Sequence, residues 1–219
     1  AYENCYVDWG KDQVRLDPHG NFVKRPADWQ HKLVGPYAIG IGGLHSTENR
    51  RALLASIGRR LLDRDVASYY PSLILETGIF PQQIGEVFSG IYRGWYDTRL
   101  AAKRAGNKHD ANSLKLLLNS VFGKLGSQYS IFYAPSELIQ VTLTGQLALL
   151  MLIEAMELAG IPVVSANTDG VVMAVPDTSE AYNAYLSVIS WWEQLTGFET
   201  EETEYSAVYS RDVNSYIAI

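Results

Sequence analysis

The stretch Ile161–Val175, IPVVSANTDGVVMAV, constrains the fold more than any other part of the chain. Two apolar, β-branched runs flank Asp169-Gly170, and Asp-Gly between such runs is the strongest short-range signal for a β-hairpin. The turn by itself accounts for Asp169. A tight turn would also present that carboxylate at the surface of a sheet, so a turn and a binding role do not exclude one another.

The flanking segments place this hairpin in a larger frame. Pro135 and Ser136 open a long apolar helix that runs to about Ala159, where Gly160 and Pro162 stop it. After the hairpin, TSEAYNAYLSVISWWEQLTG reads as an amphipathic helix, with Thr178 or Ser179 as N-cap and Gly197 as C-cap. FETEETEYSAVYS and DVNSYIAI read as closing strands. Upstream, RRLLDRDVASYYPS (Arg59–Ser72) reads as a strand ending in a turn, with Pro71 in the first turn of a short helix. Residues 86–105 show helical periodicity, Ala105–Asn112 is a polar link, and a second helix is predicted over 113–125. GPYAIGIGGLH (Gly35–His45) reads as a strand or hairpin with close backbone approach at its glycines. The order implies an α+β fold: an antiparallel sheet with helices packed on one side and an inserted antiparallel helical hairpin. The expected divisions are an irregular segment 1–35, a first sheet part 36–85, the helical hairpin 86–126 and a second sheet part 127–219.

Composition narrows the class. The chain has 219 residues, 47% of them hydrophobic, which is enough for a substantial core. Its one cysteine, Cys5, excludes an internal disulfide, and a reducing intracellular compartment is expected. No apolar run reads as membrane-spanning, because Leu147–Ile153 is followed by Glu154 and Glu157. The start at Ala1 and the end at SYIAI are those expected of a piece of a longer chain. The net charge of −6 argues mildly against nucleic acid, but the charge is unevenly spread. Arg93, Arg99, Lys103, Arg104, Lys108, Lys115 and Lys124 crowd one segment, whereas Leu125–Ser210 holds no Lys or Arg. Two solvated helix faces would account for such a basic segment equally well.

Chemistry centres on two segments besides the hairpin. Asp65 ends a strand just before a helix start, where N–H groups from Ala67 to Tyr70 would favour a polyanion. A carboxylate there suits a phosphate-bound Mg²⁺, and it equally suits a turn or cap. In KLLLNSVFG (Lys115–Gly123), Lys115, Asn119 and Phe122 share one narrow helix face. A cation, an amide and a ring suit a nucleotide; the plain alternative is a solvated face with Phe122 tucked inward. Arg99 and Lys103 form an i, i+4 basic pair on the facing helix. Two carboxylates about 4 Å apart repel by roughly 4 kcal/mol at an effective dielectric of about 20, so a close Asp65–Asp169 pair would call for cations.

These segments, in this order, resemble motifs of the B-family DNA polymerases. DVASYYPS (Asp65–Ser72) is similar to the first palm motif, commonly D-x-x-S-L-Y-P-S, with Tyr69 in the place of Leu. KLLLNSVFG is similar to the fingers motif K-x-x-x-N-S-x-Y-G, with Phe122 in the place of Tyr. NTDG (Asn167–Gly170) sits where the second palm motif, D-T-D-S, belongs, and Asn167 replaces its first carboxylate. NSYIAI weakly resembles the K-x-Y motif, with Asn214 in the place of Lys. The resemblance covers about 35–219, and its short fingers and motif variants look most like phage and other viral members.

The resemblance implies a polymerase palm with inserted fingers and template-directed addition of deoxynucleotides to a primer 3′-OH by two-metal nucleotidyl transfer. The alternative is a catalytically inactive, polymerase-like nucleic-acid-binding domain. A fingers helix after the first motif argues against reverse transcriptases and cyclases. By the same resemblance, Asp65 and Asp169 bind two Mg²⁺ ions (or Mn²⁺) with help from the Val66 backbone carbonyl. Arg99, Lys103 and Lys115 hold the incoming triphosphate. Ser68, Tyr69, Tyr70, Asn119 and Phe122 border the nucleotide, Tyr70 excluding a 2′-hydroxyl. Gly123, Asn214 and Tyr216 lie near primer DNA. Asn167 and Thr168 surround the metal site, with the Asn167 carbonyl able to accept from a metal-bound water. The implied partners are primer-template DNA and deoxynucleoside triphosphates, with exonuclease and thumb regions outside this chain and no membrane.

Overall fold

The computed structural model describes residues 37–219 except 41, 48, 49 and 57, together with the backbone of three short strands nearer the start. The chain divides into two compact units. One is Ser68–Gly145; the other comprises Ala1–Ala67 and Gln146–Ile219.

The second of these is built on strands. β1 (Val7–Trp9), β2 (Asp12–Leu16) and β3 (Phe22–Lys24) form a small antiparallel sheet. The rest of the expected irregular segment 1–35 lies outside the described residues. β4 (Tyr37–Gly40), β5 (Gly43–Ser46), β6 (Arg51–Leu54) and β7 (Arg59–Val66) follow, and after the helical unit come β8 (Val163–Asn167) and β9 (Gly170–Pro176). The closing strands are β10 (Thr200–Tyr205), β11 (Ala207–Asp212) and β12 (Ser215–Ala218). The main sheet has the order β10-β7-β9-β8-β5-β4, and β12-β11-β6 form a separate sheet; the described pairings are antiparallel. The fold is therefore α+β, with the expected hairpin at the centre of the main sheet.

Period-two alternation gives β7 two different faces. Leu62 and Val66 are buried, and Leu62 pairs with buried Met173 across the β7–β9 ladder. The helix α5 (Ser179–Thr196) packs on β9. Thr178 caps α5 by accepting the Ala181 N–H at 3.2 Å, and Gly197 ends it at φ 73°. Its Trp192 is fully buried and donates from Nε1 to the Ala148 carbonyl at 2.8 Å. On the other face of β7, Leu61 packs with Ala174 and Val208, while Asp63 and Asp65 continue the same row.

Helices make up the other unit: α1 (Tyr69–Thr77), α2 (Val87–Arg104), α3 (Lys108–Lys124) and the first part of α4 (Pro135–Leu158). The Tyr92 hydroxyl joins the α2–α3 pair by donating to the Leu118 carbonyl at 3.0 Å. α3 begins earlier than the predicted residue 113. Asn107 caps it by accepting the Asp110 N–H at 3.2 Å, so most of the polar link is helix. α4 corrects a second expectation, since by length and composition it is apolar enough to cross a membrane. Thr142, Thr144 and Gln146 break up the run in the sequence and hide its extent. Leu149, Leu150, Leu152, Ile153 and Met156 are buried, as in the core helix of a folded domain. Trp192→Ala should lower stability by about 3–5 kcal/mol, read from the urea midpoint, because it empties the largest fully buried side-chain site.

Candidate active site

Asn167 pairs with Gly170, so the two loop residues of the hairpin are Thr168 and Asp169. This corrects the placement of Asp-Gly at the turn centre: Gly170 is the first residue of β9. The positive φ falls instead on Thr168, at 46°. A β-branched residue there costs about 1–3 kcal/mol and needs its surroundings to hold it. The Thr168 N–H donates to the Leu44 carbonyl at 2.8 Å, and Gly43 lets the strands close up. A Cβ at Gly43 would come within 3.1 Å of the Thr168 side chain.

The same turn brings Asp169 to the end of β7. The Val66 N–H donates to the Asp169 carbonyl at 2.7 Å, and Asp65 stands opposite Gly170 in the ladder. A Cβ on Gly170 would meet Asp65 Oδ1 at 3.3 Å and the Arg64 carbonyl at 3.2 Å. Glycine thus serves here by the room it leaves beside the Asp65 carboxylate rather than by a left-handed conformation. Asp65 and Asp169 are both exposed at this edge.

Behind them lies a cavity of about 70 Å³ lined by Asp63, Asp65, Asp169, Asn167, Ser210 and Tyr216, among others. Burial raises the Asp63 carboxyl above its usual range, and the Asp169 charge adds to this, while the Tyr205 hydroxyl, donating to Asp63 Oδ2 at 2.8 Å, opposes it. Burial likewise raises the Tyr216 hydroxyl, reinforced by Asp63, Asp65 and Asp169. Among the described residues, no three His, Cys, Asp or Glu side chains converge to cage an ion unaided. Mg²⁺ typically takes one or two carboxylates and completes its shell with water and phosphate. The oxygen-only donor set fits a hard divalent cation of that kind.

Asn167 lines the same cavity and is tied to its neighbours. Its Oδ1 accepts from the Thr168 hydroxyl at 3.2 Å, and its Nδ2 donates to the Val213 carbonyl at 3.5 Å. Val213 belongs to the β11–β12 turn, which carries exposed Asn214 and leads into Tyr216.

The remaining predicted residues lie in the helical unit. Ser68 sits at φ 55° before α1 and does not cap it, because its hydroxyl accepts from Arg99 Nη1. Arg99 is only 8% exposed and its Nε has no hydrogen-bond partner, so the solvated-face reading fails for this residue. Lys103, Lys115, Asn119 and Gly123 are exposed. Tyr70 and Phe122 stack nearly parallel, with centroids 4.1 Å apart and planes at 8°. Tyr69 turns its ring into the helical unit. It is 3% exposed, packs over Gly145 and donates its hydroxyl to the Gly145 carbonyl. Sequence reasoning missed Asp63, although its position two residues before Asp65 puts it on the same strand face. No pattern in the sequence marks Ser210.

No known protein-family profile matches the chain, and no curated protein matches it. Its fold is similar to that of the family B DNA polymerase from the hyperthermophilic archaeon Pyrobaculum calidifontis, with a TM-score of 0.55 over 91% of this chain and 16% identity. The chain spans 29% of that polymerase's length.

The raised Asp63 carboxyl has a testable consequence. A carboxylate whose folded pKa is raised costs stability above that value, and the cost disappears as pH falls through it. Asp63→Asn keeps an acceptor for Tyr205 and should raise the urea midpoint at neutral pH. That gain should shrink to nothing well below the ordinary carboxylate range.

Proposed function

We propose that this chain is the palm and fingers core of a DNA-directed DNA polymerase, adding deoxynucleotides to a primer 3′-OH on a DNA template. The observation that carries this reading is the seating of Asp169 against the end of β7, through the Val66 N–H, beside an Asp65 that Gly170 leaves unobstructed. The polymerase-like fold supports it. The SYYPS and NTDG variants favour a phage or viral relative, with exonuclease and thumb functions supplied by other segments.

In this reading Asp65, Asp169 and the Val66 carbonyl hold two Mg²⁺ ions, for which Mn²⁺ can substitute. Such ions, when bound, acidify a hydroxyl and neutralise phosphate charge. The primer 3′-hydroxyl would lose its proton to solvent as its oxygen bonds to the α-phosphorus, the α–β phosphoanhydride bond breaking and pyrophosphate leaving. The chain's own residues orient these partners. Arg99 is a buried guanidinium that, among the described residues, meets a hydroxyl and no carboxylate, which suits it to a triphosphate. Lys103 and Lys115 add charge from solvent-facing positions. Phe122 fixes the Tyr70 ring by stacking, so that Tyr70 can meet the sugar face and exclude a 2′-hydroxyl. Asn119 borders the base, and Gly123, Asn214 and Tyr216 serve the primer strand.

Primer extension by the intact protein tests the reading. Asp65→Ala and Asp169→Ala should each abolish Mg²⁺-dependent extension, and near-normal extension by either would overturn it. Tyr70→Ala should admit ribonucleotides, checked by the ratio of ribo- to deoxynucleotide incorporation. Arg99→Ala should raise the deoxynucleotide KM by about tenfold or more, as expected for loss of a charged hydrogen bond worth about 1.5–3 kcal/mol.

A further inference from the structure

We propose that Asp63 and Ser210 hold the water shell of a divalent cation ligated by Asp169, and so supply the charge that Asn167 lacks. The use made of that ion rests on the polymerase reading; its binding does not.

Ser210 provides the first observation. It is 8% exposed, lines the cavity with Asp63 and Asp169, and its hydroxyl has no hydrogen-bond partner. Across the β11–β12 ladder it pairs with Tyr216, which lines the same cavity. A buried hydroxyl without a partner indicates a polar occupant of the space it faces. Asp63 provides the second. The Tyr205 hydroxyl engages Oδ2 at 2.8 Å, which orients the carboxylate, and Oδ1 carries none of the described hydrogen bonds. Asn167 lines the same cavity but brings no charge, and its amide is shared with Thr168 and Val213.

Size and chemistry then select the occupant. The cavity of about 70 Å³ has room for an ion with part of its water shell. No three carboxylates converge among the described residues, so direct caging is not the mode. Mg²⁺ gives up water reluctantly, and an oriented carboxylate and a hydroxyl are suited to receive its bound waters. Such outer partners typically change metal affinity by about 10–100-fold.

The experiment is titration of Mn²⁺ alone into the 219-residue chain, without nucleotide or DNA, following free Mn²⁺ by electron paramagnetic resonance. Asp63→Asn should weaken Mn²⁺ binding by about tenfold or more, Ser210→Ala should weaken it less, and Asp169→Asn should remove it. Wild-type affinity in a folded Asp63→Asn variant would overturn the proposal and leave the cavity to water. Circular dichroism and the urea midpoint report folding. Full extension by Asp65→Ala, with Mn²⁺ binding still dependent on Asp63, would sink the polymerase reading and leave the cation site standing.

Discussion

The site depends on one backbone hydrogen bond, from the Val66 N–H to the Asp169 carbonyl at 2.7 Å. It closes the β7–β9 ladder at the point where β7 ends and the hairpin turns. Two carboxylates that would otherwise repel are therefore brought to one edge by main-chain geometry, which side-chain repulsion cannot easily undo. The absent side chain of Gly170 completes the arrangement by clearing the path of the Asp65 carboxylate. The stability that tolerates this crowding comes from the other face of the same strands, where Leu62, Val66, Val171, Met173 and Val175 are buried.

Charge follows the same division between faces. On β10, Glu202 and Glu204 pair with Arg64 and Arg60 of β7, the second pair bidentate at 2.9 and 2.7 Å. The Tyr185 hydroxyl accepts from Arg64 and donates to Glu202. Much of the acidic run near the end of the chain is thus neutralised where it lies. Asp63, Asp65 and Asp169 fall on the opposite strand face or beyond its end. The net charge of −6 therefore says little about whether the molecule binds a polyanion. The distribution says more: three carboxylates line one cavity of the strand-built unit, and a buried cation, Arg99, stands in the helical unit.

Much of this was legible in the sequence where local patterns carry the information. The β8–β9 hairpin, α5 with both its caps, and the long α4 follow from β-branched runs, Thr178, Gly197, Pro135 and Gly160. The misses have physical causes. Gly170 mimics a turn glycine because contact and conformation select the same residue, and only the register shows which applies. Thr168 in a left-handed conformation contradicts local preference and is held by Leu44 and Gly43, far away in sequence. The burial of the Tyr69 ring could not be read locally, because the Gly145 carbonyl that receives its hydroxyl lies 76 residues away. Arg99 reads as a surface cation until α1 places Ser68 against it.

Asn167 shows how one substitution can be read from both sides of a site. A carboxylate there could accept from Thr168 but could not donate to the Val213 carbonyl, so it would set two oxygens against each other. It would also add a fourth negative group to a cavity that Asp63, Asp65 and Asp169 already line. An amide avoids both costs and ties the hairpin to the turn before Tyr216. Asn167 and Asp63 thus divide two tasks at this cavity: the carboxylate stands on β7, and the amide on β8 donates to the turn of the neighbouring sheet.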